Sequence, residues 1–354
     1  MKKTLMVMAG GTGGHVFPAI AVADFLKALD WKIVWLASKG GMENGLIENK
    51  GYEKAQITIK GVRGKGVSGW ILMPLRLLVA FVQSFKAMRH YSPDVVIGMG
   101  GFAAFPGGFM AWVLRKPLVI HEQNSVEGLT NKLLAKVATK ILTAFPSAFR
   151  GKGKLVGNPV RKDLLEIQEP QARYESRAGS LRLLVIGGSL GAQALNEIVP
   201  KAIGLLPKAS RPKVVHQSGN SHIGKLRNNY KEAGVEADCI PFIEDMAESY
   251  DWADFVICRS GAMTIAELSA IGVASLLVPF PYAVDDHQTT NARYLSDSGA
   301  AILVQQQELT AEGLVGILSE LTRGKCLEIA KRAYALGKPD ATENVAQTCM
   351  ELAE

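Results

Sequence analysis

The 354-residue sequence predicts an α/β protein built of two doubly wound, Rossmann-like halves with parallel sheets. Three observations predict it. Strand-like apolar runs alternate with helix-period stretches along the chain, as parallel βαβ architecture requires. Each half opens on an apolar strand running into a glycine turn, "VMAGGTGGH" and "VIGGSLGAQ". A polar, charge-rich stretch at 162–179 follows the Asn158-Pro159 breaker and separates the two strand series. The expected division is therefore 1–160 and 161–338, and the length is enough for two large cores.

In the first half, strands are expected near 5–9, 32–37, 94–98, 117–121 and 140–143. In the second they are expected near 182–187, 213–217, 237–241, 255–258, 275–278 and 300–304. The apolar run after Lys2 and Lys3 is short and breaks into glycines, so it reads as a first strand rather than a signal peptide. A segment at 68–91 has helical spacing, with Ser68 as a cap and Pro74 tolerable near the first turn. Trp70, Ile71, Leu75, Leu78, Val82 and Phe85 recur there at three- and four-residue steps, and apolar residues also fill other faces. Pro74 and Arg76 interrupt the run, and no apolar window reaches membrane-spanning length.

The charge is uneven. Residues 1–160 hold 21 Lys and Arg against 8 Asp and Glu, or +13, whereas 161–354 hold 19 against 25, or −6. From Lys54 to Pro93 no acidic residue occurs, and Lys54, Lys60, Arg63, Lys65, Arg76, Lys86 and Arg89 supply seven cations. A basic half calls for an anionic partner: a nucleic acid, a membrane surface or a phosphorylated substrate. Nucleic acid fits worst, because the basic stretch lacks interleaved stacking residues and carries long aliphatic runs. Cys239, Cys258, Cys326 and Cys349 have neither zinc-finger nor redox spacing and read as reduced thiols of a cytoplasmic protein.

The turn at Gly10–His15 suits a phosphate or another group that must approach closely, since glycines permit it and a helix N-terminus offers free N–H groups. It fits neither the dinucleotide fingerprint nor the phosphate-binding P-loop. Seven stretches fall at expected strand ends: "GGTGGH" (10–15), "GMGGF" (98–102), "HEQN" (121–124), "GNPVR" (157–161), "GGSLGA" (187–192), "CRSGAMTIAE" (258–267) and "DDHQTTNA" (285–292). Each has an ordinary explanation by itself, as turn glycines, rim polars or a surface cation. Together they fall where open α/β sheets bind ligands.

With "GLTNK" (128–132), these stretches occur in one order that resembles the MurG family, the UDP-N-acetylglucosamine:lipid I glycosyltransferases of bacterial peptidoglycan synthesis. The resemblance spans residues 10 to about 292. It implies a GT-B fold, two Rossmann-like domains about a deep cleft, with a C-terminal helix, 339–354, packing back on the first domain. The first domain would take the lipid I acceptor and the anionic membrane surface, at the cytoplasmic face of the inner membrane. The second would take UDP-GlcNAc. Matching motifs imply that Glu267 accepts from the ribose hydroxyls and Ile243 offers backbone groups to the uracil. Ala262, Met263, Thr264, Ile265 and Ala266 lie in the same donor motif. Ser189 and the neighbouring amides would hold the diphosphate, with Arg161 adding charge. Gln288 and Asn291 would read the sugar; His287 stands where other versions of that loop carry a further glutamine. Asn124 and the Thr12, Gly13 and Gly14 amides would reach in from the first domain. An inverting transfer needs a base and stabilisation of the departing diphosphate. His15 stands where that base would sit, with Glu122 as the alternative. No Asp-x-Asp pair exists for a metal, so neither metal nor cofactor is expected.

Overall fold

The computed structural model describes residues 2–59, 73–188 and 191–354. They form two compact units, Met1–Arg161 with Lys338–Glu354, and Lys162–Gly337.

The first unit is built on a seven-stranded sheet in the order β3-β2-β1-β4-β5-β6-β7. The strands are β1 (Thr4–Met8), β2 (Lys32–Ser38), β3 (Glu53–Ile57), β4 (Val95–Gly98), β5 (Leu118–Glu122), β6 (Lys140–Thr143) and β7 (Lys154–Leu155). Every pairing is parallel. A parallel sheet is covered on both faces, and β1 shows how its sequence meets that demand. Leu5 and Val7 pack with Val16, Ala19, Val22 and Leu26 of helix Gly13–Ala28. Met6 and Met8 point the other way, into a cluster with Ala80 and Met88 of helix Met73–Tyr91 and Ala104 and Ala111 of helix Ala104–Val113. The C-terminal helix Ala341–Leu352 buries Val345, Ala346 and Cys349 in the cluster that holds helix Gly13–Ala28.

The second unit has six strands in the order β10-β9-β8-β11-β12-β13. They are β8 (Arg182–Ile186), β9 (Lys213–Gln217), β10 (Asp238–Ile240), β11 (Phe255–Cys258), β12 (Ala274–Leu277) and β13 (Ile302–Leu303), again all parallel. Leu183 and Val185 join Leu195, Val199 and Ile203 of helix Gln193–Leu205 in its core.

Every strand expected from sequence overlaps an observed one, and two observed strands were not expected. β3 and β7 are the two edges of the first sheet. β3 reads "EKAQI" and buries only Ala55 and Ile57, and both residues of β7 are exposed. Edge strands have no second neighbour to hide them, so they lack the apolar run that marks a central strand.

Helix Met73–Tyr91 presents an unusual surface. It buries Ala80, Ser84 and Met88. Leu75 is 61% and Leu78 58% exposed, and Val82 and Phe85 also lie on the surface. The expected Ser68 cap, Trp70, Ile71 and the basic loop 60–69 lie outside the described residues.

In each sheet the first strand sits between the second and the fourth, so the strand order reverses there. Connections leaving β1 and β4, or β8 and β11, depart to opposite faces and open a crevice at the carboxyl ends of those strands.

Candidate active site

The crevice of the first unit gathers five of the sequence stretches. After β1, the turn runs into helix Gly13–Ala28, whose N-cap, Thr12, makes no side-chain capping bond and whose first turn holds no acid. The first amides, including those of Gly13 and Gly14, therefore keep the positive end of the helix dipole uncompensated by side chains. His15 lies in this first turn, partly buried, with its main-chain N–H donating to the Thr12 carbonyl at 3.1 Å. Its ring lies against Gly100, just beyond β4. A Cβ at residue 100 would stand 2.7 Å from His15 Nδ1 and 2.8 Å from Cε1, and φ there is +98°. Glycine is thus required at 100 twice over, for its backbone and for the imidazole it backs.

His15 Nδ1 is 2.9 Å from Gln123 Oε1. Gln123, buried just after β5, brings its Nε2 to 3.0 Å from His121 Nδ1 and donates to the His121 carbonyl at 3.2 Å. His121 Nε2 in turn lies 2.8 Å from the Gly157 carbonyl oxygen. Full burial pushes the His121 pKa down to about 4, against the opposing effect of its bond to Gly157, so the ring is neutral near pH 7. Asn158 Nδ2 donates to the Gln123 carbonyl at 3.0 Å and ties the "GNP" turn beneath the "HEQN" loop.

Glu122 is 1% exposed and holds that loop in shape. Its Oε1 accepts from the Asn124 main-chain N–H at 3.0 Å and the Asn124 amide at 3.3 Å. Its Oε2 accepts from the Gly128 N–H at 3.0 Å and Asn131 Nδ2 at 2.9 Å. Four donors on one carboxylate explain why "HEQN" and "GLTNK" occur together. Of the two candidate bases, His15 is the one whose side chain is reachable; Glu122 organises the loop around it. Arg161, the last residue of the first unit's N-terminal segment, is partly buried.

In the second unit, β8 runs into "GGSLGA". The Gly187 N–H donates to Gln217 Oε1 at 3.2 Å and the Gly191 N–H to the Gly188 carbonyl at 2.9 Å. Gly191 has φ +74°, and a Cβ there would stand 1.8 Å from the Ser218 carbonyl oxygen. Helix Gln193–Leu205 follows with no side-chain cap and no acid in its first turn. Ser189 lies outside the described residues. Beside it in the sheet, β11 leads through Ser260 into helix Ala262–Ile271, whose N-cap, Gly261, makes no side-chain capping bond and whose first turn holds no acid. Ala262 and Ile265 face the core, while Met263, Thr264, Ala266 and Glu267 are partly exposed. Glu267 Oε2 accepts from the Tyr250 hydroxyl at 3.0 Å. Ile243 is buried in the loop beyond β10. Gln288 Oε1 accepts from the Phe280 N–H at 2.9 Å. Asn291 is fully buried, and its Nδ2 donates to the Ser260 carbonyl at 3.4 Å, so this side chain braces the turn into helix Ala262–Ile271.

In each crevice, therefore, helices open without a side-chain bond from the N-cap and without an acid in the first turn, an arrangement suited to anionic groups, and the first adds an imidazole. The comparisons with known proteins agree with this geometry. Residues 5–143 match the glycosyltransferase family 28 N-terminal domain, and residues 182–345 match its C-terminal domain. The chain belongs to glycosyltransferase family 28, in its MurG branch. A relative from Nitrosospira multiformis, 54% identical over 99% of both chains, is named a UDP-N-acetylglucosamine–N-acetylmuramyl-(pentapeptide) pyrophosphoryl-undecaprenol N-acetylglucosamine transferase. One from Cupriavidus metallidurans, 56% identical over 99% of this chain and 98% of its own, carries the same name. The crystal structure of Acinetobacter baumannii MurG superposes with a TM-score of 0.88 at 40% identity, covering 99% of each chain.

In this family-28 chain, sequence reading alone passes over three residues. Gln123 stands inside a recognised stretch but has no charge or periodicity to single it out. Gly100 is one glycine among many, and Tyr250 lies on helix Met246–Trp252, away from any glycine turn. Only the folded contacts identify them.

Proposed function

We propose that the chain transfers N-acetylglucosamine from UDP-N-acetylglucosamine to the C4 hydroxyl of the N-acetylmuramyl unit of lipid I, with inversion, to form the β-1,4 linkage of lipid II. The observation that carries this reading is His15, an imidazole in the first turn of an uncapped helix at the first unit's switch point. The relatives' printed activity supplies the substrates. In the reaction the C4 oxygen attacks the anomeric carbon while its proton passes to His15. The bond from that carbon to the β-phosphate oxygen breaks, and its electron pair leaves with UDP. The amides opening helices Gln193–Leu205 and Ala262–Ile271, with Ser189 and Arg161, would stabilise the growing diphosphate charge without reorganisation. Glu267, oriented by Tyr250, would accept from the ribose hydroxyls. Ile243 would present main-chain groups to the uracil. Gln288 would read the sugar, with Asn291 bracing the turn beneath, and Asn124 and the amides of residues 12–14 would meet the acceptor side.

The same reading places the protein peripherally on the cytoplasmic leaflet. No helix among the described residues is long and apolar enough to cross a membrane. The exposed stripe of Leu75, Leu78, Val82 and Phe85, flanked by Arg76, Lys86 and Arg89, suits an anionic bilayer surface. A lipid-linked acceptor requires that approach.

The experiment is transfer of radiolabelled GlcNAc from UDP-GlcNAc to a lipid I analogue. Incorporation into a disaccharide product is expected. Tight UDP binding with no transfer would overturn the reading in favour of a nucleotide-sugar-binding module.

A further inference from the structure

Two backbone carbonyls decide where the protons lie in the chain of contacts behind His15. The Gly157 carbonyl can only accept, so His121 Nε2, 2.8 Å away, must carry a hydrogen. In a neutral ring this leaves His121 Nδ1 as an acceptor. The His121 carbonyl can also only accept, so the Gln123 atom 3.2 Å from it is the amide nitrogen, which donates as well to His121 Nδ1 at 3.0 Å. The other end of that amide is then the oxygen, and it stands 2.9 Å from His15 Nδ1. An oxygen there demands a hydrogen on His15 Nδ1.

We propose that Gln123, locked in one orientation by His121 and Gly157, is a positioning residue that holds His15 as the Nδ1–H tautomer and leaves Nε2 unprotonated for the acceptor hydroxyl. This rests on the assignment of His15 as the base. Burial of His121, which keeps its ring neutral, preserves the pattern across the working pH range. Gly100 completes the mount, since any side chain at that position would push the ring off Gln123. When Nε2 takes the hydroxyl proton, the imidazolium still donates from Nδ1 to the same amide oxygen. The relay therefore orients the base without moving a second proton.

The test combines nitrogen NMR of the full-length protein, labelled with 15N-histidine, with steady-state kinetics. The His15 resonances are identified by their loss in His15→Gln. In the wild type, a protonated Nδ1 and an unprotonated Nε2 are expected. In Gln123→Leu the signal should relax toward the Nε2–H form that unconstrained histidine prefers. Its kcat should fall by roughly 10- to 100-fold, less than the 10⁴-fold cost of enforcing a wrong tautomer, with the donor KM within about twofold. Gln123→Glu keeps an acceptor opposite Nδ1 but loses the donor to His121, so His15 should keep its Nδ1–H signal even where kcat falls, a separation that a merely structural role would not give. If Gln123→Leu melts early, the unbranched Gln123→Met carries the same expectation. A wild-type His15 protonated on Nε2, unchanged kcat in Gln123→Leu, or an Nε2–H signal in Gln123→Glu would each overturn the relay. The expected tautomer together with a fully active His15→Ala would uphold the relay and overturn the base assignment instead.

Discussion

The turn after β1 and the turn after β8 occupy the same place in their sheets. Each follows the first strand, lies where the strand order reverses, and feeds a helix with neither a side-chain cap nor an acid in its first turn. What differs is what has been added. The first turn carries His15, clamped between Gly100 and Gln123. Among the described residues of the second turn there is no titratable side chain, only amides held by Gln217 and by the turn itself. Under the proposed function, one backbone device, an electropositive helix mouth, serves two purposes: alone it would receive an anion, and with an imidazole mounted in it, it would also take a proton.

The sharpest way to break this contrast is at the imidazole. His15→Ala should lower kcat by about 10²–10⁴-fold with little change in UDP affinity. A kcat within a few fold of wild type would mean that both turns only bind anions. The glycines come next. Gly191→Ala forces a Cβ onto the Ser218 carbonyl at positive φ and should cost roughly 3 kcal/mol or more of second-unit stability, read as an early denaturant transition. Gly100→Ala shares the positive-φ strain but meets a side chain rather than backbone, so it should lose less stability and also lower kcat by displacing the His15 ring. An unchanged kcat in Gly100→Ala would erase the distinction. On the donor side, Glu267→Ala should raise the donor KM by roughly 10- to 100-fold, the worth of charged hydrogen bonds of about 1.5–3 kcal/mol. An unchanged donor KM would remove Glu267 from the ribose.

A smaller effect concerns a feature the units share. Each buries a neutral histidine. His121 is pushed down to about 4, and His216, between Tyr230 and Asn196, to about 3, both by desolvation. The unfolded chain protonates these rings near 6.5, above the folded values, so the stability is present above that pH. It is lost as pH falls from about 6.5 toward 4 in the first unit and toward 3 in the second, at roughly 1.4 kcal/mol per pH unit for each ring. Urea unfolding at pH 7 and pH 5 measures this, and His216→Asn should flatten only the transition of the second unit. The smallest expected effect, per residue, is at the surface. The exposed stripe of helix Met73–Tyr91 belongs to the basic unit, and the acidic unit has no part in the proposed docking. Replacing Arg76, Lys86 and Arg89 by Glu should weaken co-sedimentation with anionic vesicles by roughly 1 kcal/mol for each cation lost, in a salt-dependent way. Equal binding to neutral and anionic vesicles would show that the basic face serves something else.

The sequence by itself determined the strands of both cores, because a central parallel strand must be apolar on both faces and so leaves a continuous signature. It also determined the places of the glycine turns, and with them the family, since turns at strand ends need particular residue types and these stand in one order along the chain. It did not contain β3 or β7, whose exposure at the sheet edges erases the pattern. Nor did it show what surrounds His15 and Glu122. Only the fold brings Asn124, Gly128 and Asn131 onto one carboxylate, and residues 15, 100, 121, 123 and 157 into one chain of contacts. Those residues come from separate loops, and no local rule links them. A hydrogen bond is specified by an angle and a few tenths of an ångström, and only the packed tertiary structure sets distances that finely.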